Sequence, residues 1–191
     1  MFIKDWKKEV FSIPNLLSFF RILLIPVYIA IYCNAKMASD YYLAAMILAV
    51  SCITDLVDGK IARKFHMVTT LGKILDPLAD KATQFALILC LAGKHPILWT
   101  LLALFVIKEV FQLVAGSINL KRGRMLKGAL ITGKLSTTIL FISLILLIIP
   151  GVGQSFAQSI VILDIFALSV SFGNYIFTYF YSDHKFQLID K

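Results

Sequence analysis

Four aspartates dominate the chemistry that this sequence can offer. They stand in Thr54-Asp55-Leu56-Val57-Asp58-Gly59-Lys60-Ile61-Ala62-Arg63 and, eight residues after Arg63, in Gly72-Lys73-Ile74-Leu75-Asp76-Pro77-Leu78-Ala79-Asp80. On a helix, Asp55 and Asp58 are three apart and share a face with Gly59 and Ala62. Asp76 and Asp80 are four apart and stack in a row with Thr69 and Gly72. Two adjacent antiparallel helices would point all four carboxylates at one another. Unpaired, each acid costs roughly 2.5–3.5 kcal/mol at the centre of a membrane helix. Hard divalent cations resolve that cost, because carboxylate oxygens suit Mg2+ or Mn2+. Four such side chains can hold two ions about 3.5–4 Å apart, the arrangement suited to displacement at phosphorus. A spare carboxylate can then take a proton from an attacking hydroxyl. Gly59, Ala62 and Gly72 leave room for a ligand to approach the backbone. The alternative, structural ion pairs with Lys60, Arg63, Lys73 and Lys81, suits one acid better than four at this spacing.

The rest of the chain defines what must hold those groups. Of 191 residues, 59% are hydrophobic and 16% charged, against about 45–50% and roughly 25% in a soluble domain. That balance excludes a soluble globular domain, a disordered chain and a disulfide scaffold, and leaves a helical integral membrane protein. The length fits about five to seven spans in one compact bundle. The apolar runs predict an all-α fold of six transmembrane helices, over about 13–33, 41–63, 70–92, 97–120, 130–149 and 159–181. Residues 1–12 read as an N-terminal amphipathic interfacial helix, with Trp6 and Phe11 in and Lys4, Lys7 and Lys8 out. Residues 182–191 read as a polar tail, so that 1–191 is one membrane domain around a 13–181 bundle.

Charge sets the orientation. The net charge of +8 comes from short basic clusters between apolar runs, which points to membrane loops and not to nucleic acid. The bases of the N-terminus, of Arg63-Lys64 and of Lys121-Arg122-Gly123-Arg124 put both termini and these loops on the cytoplasmic side of the cell membrane. The second span is uncharged from Tyr41 to Thr54 and then meets Asp55 and Asp58, whereas the third becomes uncharged only from Ala82 onward. These charged halves face the cytoplasm, so the expected site is a polar cavity open there and sealed on the far side. Cys33, Cys52 and Cys90, in or at the edge of apolar stretches at unrelated spacings, read as small buried residues, neither a metal set nor a disulfide framework.

The aspartate segment matches, without a gap, the pattern D-x2-D-G-x2-A-R-x8-G-x3-D-x3-D of the CDP-alcohol phosphatidyltransferase (CDP-alcohol phosphotransferase) family. All eight fixed positions are present within 26 residues. The resemblance implies an enzyme, a phosphotransferase for substituted phosphate groups. It would move the phosphatidyl group of CDP-diacylglycerol to an alcohol and release CMP. It implies that Asp55, Asp58 and Asp76 bind metal, with Asp80 close to the second of two divalent cations. Asp80 also takes the position of the general base. Gly59, Arg63, Thr69 and Gly72 take positions that contact the cytidine diphosphate, and homodimers are expected from the resemblance alone.

Two further regions extend this likeness. In Ile13-Pro14-Asn15-Leu16-Leu17-Ser18-Phe19-Phe20-Arg21, the side chains of Asn15, Ser18 and Arg21 fall within one arc of about 120°. The segment resembles the I-P-N-x-L-T-x-x-R start of the phosphatidylglycerophosphate synthase branch, with Ser18 in place of Thr, and adds Asn15 and Ser18 to the CDP-lipid contacts. The alternative is a helix start at Pro14-Asn15 and an Arg21 that snorkels to the surface. In the fourth span Lys108, Gln112, Ala115 and Asn119 form a polar stripe beside Glu109. Lys108, Arg124, Lys127 and Lys134 are the candidates for holding an acceptor phosphate, although the synthases using glycerol phosphate more often carry Arg-Glu where Lys108-Glu109 stands. Asp164, alone in the sixth span, reads as a non-cytoplasmic interfacial residue.

The Leu75–Lys81 segment looks most like the phosphatidylglycerophosphate and cardiolipin synthase branches. Glycerol 3-phosphate is therefore the expected acceptor and phosphatidylglycerol, giving cardiolipin, the second choice. A divalent-cation transporter is the rival from another class. Its need for access from both faces conflicts with polarity confined to one side.

Overall fold

The computed structural model of the protein describes residues 13–64, 72–126, 130–181 and 186–188; Cys52, Asp55, Asp58, Gly59 and Arg63 are described by their backbone alone. Among the described residues six helices follow one another: α1 Ile13–Cys33, α2 Ala38–Lys64, α3 Gly72–Ala92, α4 Leu98–Lys121, α5 Ile131–Ile148 and α6 Gln154–Tyr181. Helices α1, α4, α5 and α6 are long and apolar enough to cross a membrane. Helices α2 and α3 are interrupted by the aspartates and their basic neighbours, and the apolar stretch of α2 is Ala38–Ser51. The interfacial helix expected over 1–12 lies outside the described residues.

Large apolar side chains cover the outside, and several polar ones are buried among the apolar core. On α1 the buried stripe is Asn15, Ser18, Arg21, Tyr28 and Tyr32, while Leu16, Phe19, Phe20 and Leu23 face outward. Arg21 is 2% exposed and Leu23 66%. On α6 Asp164, Ser171 and Thr178 are buried, yet Phe166 is 67% exposed. Such a surface is favourable against lipid hydrocarbon and unfavourable against water. The chain is therefore a multi-pass helical membrane protein.

Two compact units divide the chain, one made of Met1–Leu91 with Leu147–Gly151 and the other of Ala92–Leu146 with Val152–Lys191. In the first, α1, α2 and α3 converge on a small crevice lined by Leu24, Ile25, Tyr28, Ile47, Leu48, Ser51, Thr83 and Ala86. Ala44, Leu48 and Ser51 supply the buried face of α2 at four- and three-residue spacing. Asp40, in the first turn of α2, accepts hydrogen bonds from the backbone N–H groups of Met37 (2.9 Å) and Lys36 (2.8 Å). This is the acidic half of a capping box. Those bonds, Met37 first, hold the Asp40 carboxyl below its ordinary value. Its support of the helix start is thus complete above the usual carboxylate range and lost as pH falls through the lowered value.

In the second unit, α5 and α6 pair in antiparallel fashion. Thr132 meets Asn174 (3.1 Å), Gly133 meets Tyr175, and Ser143 meets Asp164 (2.9 Å), advancing along one helix while receding along the other. Phe111 of α4 packs edge-on against Phe172 and Tyr179 of α6.

Two features differ from the sequence reading. The all-α class holds, but one short strand pair accompanies the helices: β1 (Arg124–Leu126) pairs antiparallel with β2 (Phe186–Leu188), with Arg124 opposite Leu188. Gly123, at φ 72°, turns the chain out of α4 into that strand. The segment expected to be a simple polar tail thus returns to the loop after α4. Helix α6 begins at Gln154, five residues before the expected Ser159. Asp164 is consequently ten residues inside it, buried and hydrogen-bonded to Ser143, rather than interfacial.

Gly133 is required where α5 crosses Tyr175, because a Cβ there would lie 2.5 Å from the phenolic oxygen and 2.9 Å from Cε2. Overpacking costs about 1–3 kcal/mol, which outweighs a helix-propensity gain of at most about 1 kcal/mol. Gly133→Ala should lower Tm in detergent by roughly 3–8 °C. Gly173→Ala, where a Cβ meets nothing within 4 Å, should leave it unchanged or raised. Equal Tm values for the two variants would contradict the packing of α5 on α6.

Candidate active site

The candidate site is built on α1 and α3. Helix α3 presents Asp76 and Asp80 one turn apart, toward the residues that α1 presents at Ser18 and Arg21. Ser18 Oγ donates to Asp76 Oδ1 at 2.5 Å, and Arg21 Nη1 donates to Asp80 Oδ1 at 2.7 Å. The i, i+3 step on α1 therefore meshes with the i, i+4 step on α3, as two helices crossing at a shallow angle require. Pro77 lies between the two aspartates and removes one N–H from the helix ladder, so the Lys73 carbonyl loses its helical donor beside the site.

Burial is uneven across the pair. Arg21 is almost fully enclosed, whereas the Asp80 side chain is 46% exposed and Asp76 half-buried. Arg21 thus supplies fixed positive charge from within, and the carboxylates open outward. Asn15 and Ser18 are buried on the same face of α1, and Gly72 is buried as the first residue of α3. The structure therefore brings the expected arc of Asn15, Ser18 and Arg21 to the second pair of motif aspartates. Arg21 does not snorkel. The arc and the Asp76/Asp80 row are both explicit in the sequence, but the pairing of Arg21 with Asp80 depends on how α1 and α3 face each other.

Asp55 and Asp58 are three apart on the α2 backbone, with Gly59 and Arg63 following on the same helix. Their side chains, and the whole of Thr69, lie outside the described residues. Among the described residues no group of three metal-ligating side chains occurs. The chemistry of Asp76 and Asp80 nonetheless suits hard cations: a carboxylate is an acceptor with about four lone-pair sites, and the Ser18 hydroxyl uses one of those on Asp76.

The acceptor candidates occupy the second unit and differ among themselves. Lys108 is 1% exposed, donates to Glu109 Oε1 and Gln112 Oε1 at 2.8 Å each, and lies 5.6 Å from the centre of the Tyr175 ring. Its charge is answered internally. Arg124 and Lys134 are exposed, and Lys127 lies outside the described residues. Glu109 and Gln112 flank Lys108 on the same helix, as the spacing indicates, whereas the Tyr175 ring reaches it through an α4–α6 contact that spacing within one helix does not reveal.

Breaking one partner of an enclosed charge pair leaves the other uncompensated. A double-mutant cycle of Arg21→Ala with Asp80→Ala, read by unfolding in detergent, should give a coupling of about 1–3 kcal/mol. Additivity of the two losses would disprove the α1–α3 ion pair.

The sequence profile described as CDP-alcohol phosphatidyltransferase matches residues 11–171, most of the chain. A CDP-diacylglycerol--glycerol-3-phosphate 3-phosphatidyltransferase of Rickettsia typhi is 36% identical over 138 residues, covering 68% of this chain and 76% of that protein. The protein of the same name from Rickettsia felis is 43% identical over 84 residues, covering 44% of this chain and 45% of its own length. A cardiolipin synthase (CMP-forming) / mitochondrial hydrolase fusion protein of Schizosaccharomyces pombe is 40% identical over 113 residues, covering 58% of this chain and 18% of that protein. The chain thus spans less than half the length of two of these three relatives. With the aspartate pattern complete and the profile matched over most of its length, the chain belongs to the CDP-alcohol phosphatidyltransferase family.

Proposed function

We propose that the protein transfers the phosphatidyl group of CDP-diacylglycerol to glycerol 3-phosphate, giving phosphatidylglycerophosphate and CMP. The observation that carries this reading is the joining of Ser18 to Asp76 and of Arg21 to Asp80 in a chain of this family. Asp55, Asp58, Asp76 and Asp80 would hold two divalent cations, Mg2+ or Mn2+. When bound, these would neutralise the pyrophosphate and polarise the phosphoryl group. Asn15, Ser18, Gly59, Arg63, Thr69 and Gly72 bind the CDP portion. Asp80 accepts the proton of the acceptor hydroxyl as its oxygen attacks the β-phosphorus, and the bond from that phosphorus to the oxygen of CMP breaks. Arg21 orients Asp80, and Ser18 orients Asp76.

The internal engagement of Lys108 favours Arg124, Lys127 and Lys134 for the acceptor phosphate, with Lys108 setting the shape of α4 beside them. Relatives that are cardiolipin synthases support a second reading, in which phosphatidylglycerol is the acceptor. In the proposed topology α1 to α6 all cross the cytoplasmic membrane, residues 1–12 lie on its surface, and both termini and the site face the cytosol. Two such chains would form a homodimer.

Purified protein with Mg2+ or Mn2+ should release CMP from CDP-diacylglycerol only when an acceptor is supplied. In a panel of glycerol 3-phosphate, phosphatidylglycerol, inositol, inositol phosphate and serine, the first should be used; preference for the second would establish the cardiolipin reading. Asp80→Asn should lower turnover by at least about 100-fold while CDP-lipid binding persists. Normal turnover in that variant would remove Asp80 from the role of base. Arg21→Lys should retain part of the activity that Arg21→Ala loses. A C-terminal reporter active only in the cytosol should be active, and an inactive reporter in a protein that is expressed and inserted would overturn the topology.

A further inference from the structure

Arg124 is the first residue of β1 and follows α4 after only Arg122 and Gly123. The end of α4 is closed by its own backbone. The Arg122 N–H donates to the Ile118 and Asn119 carbonyls at 3.1 and 3.0 Å, and the Gly123 N–H to the Leu120 carbonyl at 3.0 Å. Gly123 then turns the chain at a φ of 72°, a conformation that a side chain would strain. β1 therefore leaves α4 in a set direction. Across from it lies β2, in the register Arg124 opposite Leu188, Met125 opposite Gln187 and Leu126 opposite Phe186. β2 hangs from the end of α6 at Tyr181, and α6 is itself anchored to α5 by Asn174–Thr132 and Asp164–Ser143. The Arg124 backbone is thus fixed from two directions, by the helix before it and by the strand opposite, while its side chain is exposed.

We propose that β2 is a positioning element for the acceptor: by pairing with β1 it holds Arg124 ready for the phosphate of the alcohol substrate. The proposal rests on the reading above in which Arg124 binds that phosphate. A guanidinium takes phosphate oxygens through a planar fork, so its grip depends on direction as well as on charge. On an unpaired loop the residue would surrender its backbone freedom when the phosphate arrives. That ordering corresponds to a factor of roughly 5–30 in affinity for each residue fixed. In the strand pair it is met during folding, which is preorganisation. Phe186, Gln187 and Leu188 therefore act through Arg124 and need not touch the substrate.

The same coupling runs in reverse. β1 and β2 form a sheet of two strands, and such a pair is marginally stable in water by itself. A ligand can therefore shift how fully it is formed. Since pairing tightens phosphate binding at Arg124, bound phosphate must tighten the pairing by the same factor. Phe186, Gln187 and Leu188 carry no charge that would attract the phosphate directly, so their response to it passes through β1.

The test uses the purified full-length protein in detergent with CDP-diacylglycerol and glycerol 3-phosphate. Proline removes the N–H of the residue it replaces, whereas alanine keeps it. Residues along an antiparallel strand alternate between bonded and non-bonded pairs. Phe186→Pro and Leu188→Pro should therefore behave alike, and Gln187→Pro in the opposite way. The variants that strip the ladder should raise the KM for glycerol 3-phosphate about 10-fold, leaving kcat and the KM for CDP-diacylglycerol within about twofold. Alanine at the same positions should keep the wild-type KM. Arg124→Ala should raise that KM by itself, and in its background proline should add nothing. Equal effects of proline at all three positions or at none, a matching rise in both KM values, or additivity with Arg124→Ala would each overturn the proposal. Hydrogen exchange of the wild-type protein asks the same question without a variant, so a poorly folding substitution does not blunt the test. Saturating glycerol 3-phosphate should slow the amides of 124–126 and 186–188 together, and Arg124→Ala should remove the slowing at 186–188. Unchanged exchange at 186–188 in the wild type would also overturn the proposal. Should phosphatidylglycerol be the acceptor used, the same split read in its KM keeps the positioning role while the glycerol 3-phosphate reading falls.

Discussion

Charge inside an apolar phase must be answered by charge or by hydrogen bonds, and in this protein that constraint decides which helices meet. Arg21 is enclosed among helices whose outer faces are phenylalanine, leucine and isoleucine. An isolated guanidinium at membrane depth costs at least about 2.5–3.5 kcal/mol. Its bond to Asp80, with Ser18 on Asp76 one turn away, answers that cost and orients two carboxylates of the motif. It also answers part of the polar half of α3, whose uncharged run begins only at Ala82 and is too short to cross alone. Stability and the candidate chemistry thus rest on the same contacts.

The second unit obeys the same rule with different residues. Lys108 is enclosed by Glu109, Gln112 and the Tyr175 ring, and Asp164 receives the Ser143 hydroxyl. Small residues allow the helices to approach: Gly133 lies under Tyr175, and Gly116 close to Tyr179. Close backbone approach is how membrane helices gain packing energy when lipid offers no hydrophobic drive. The polar residues of α4 and α6 therefore act first as interhelical contacts. A binding role for any of them has to be compatible with that work.

Much of the helical order was legible in advance. Residues 13–33, 97–120 and 130–149 were expected as spans, and the helices run Ile13–Cys33, Leu98–Lys121 and Ile131–Ile148. Lipid makes such runs legible, because every residue facing it must be apolar over a length set by bilayer thickness. The arc of Asn15, Ser18 and Arg21 was legible for a related reason: polar residues at helical spacing in an apolar run must point inward. The short β1–β2 pair was not, since its two strands are three residues each and far apart in sequence. Nor was the burial of Asp164, whose partner Ser143 stands on another helix.

Composition and spacing alone determined that this chain is a membrane protein, that its carboxylates gather in one region, and which family's pattern they match. Those properties follow from local periodicity and from residue type, which the chain carries at every position. Tertiary structure alone decided which polar side chains of separate helices answer one another: Ser18 with Asp76, Arg21 with Asp80, Lys108 with the Tyr175 ring, and Asp164 with Ser143. Except where two partners lie within a turn of one helix, such pairings depend on register and on the facing of separate helices. Both are set by the packing of the helices as a whole, and neither has a local signature in the sequence.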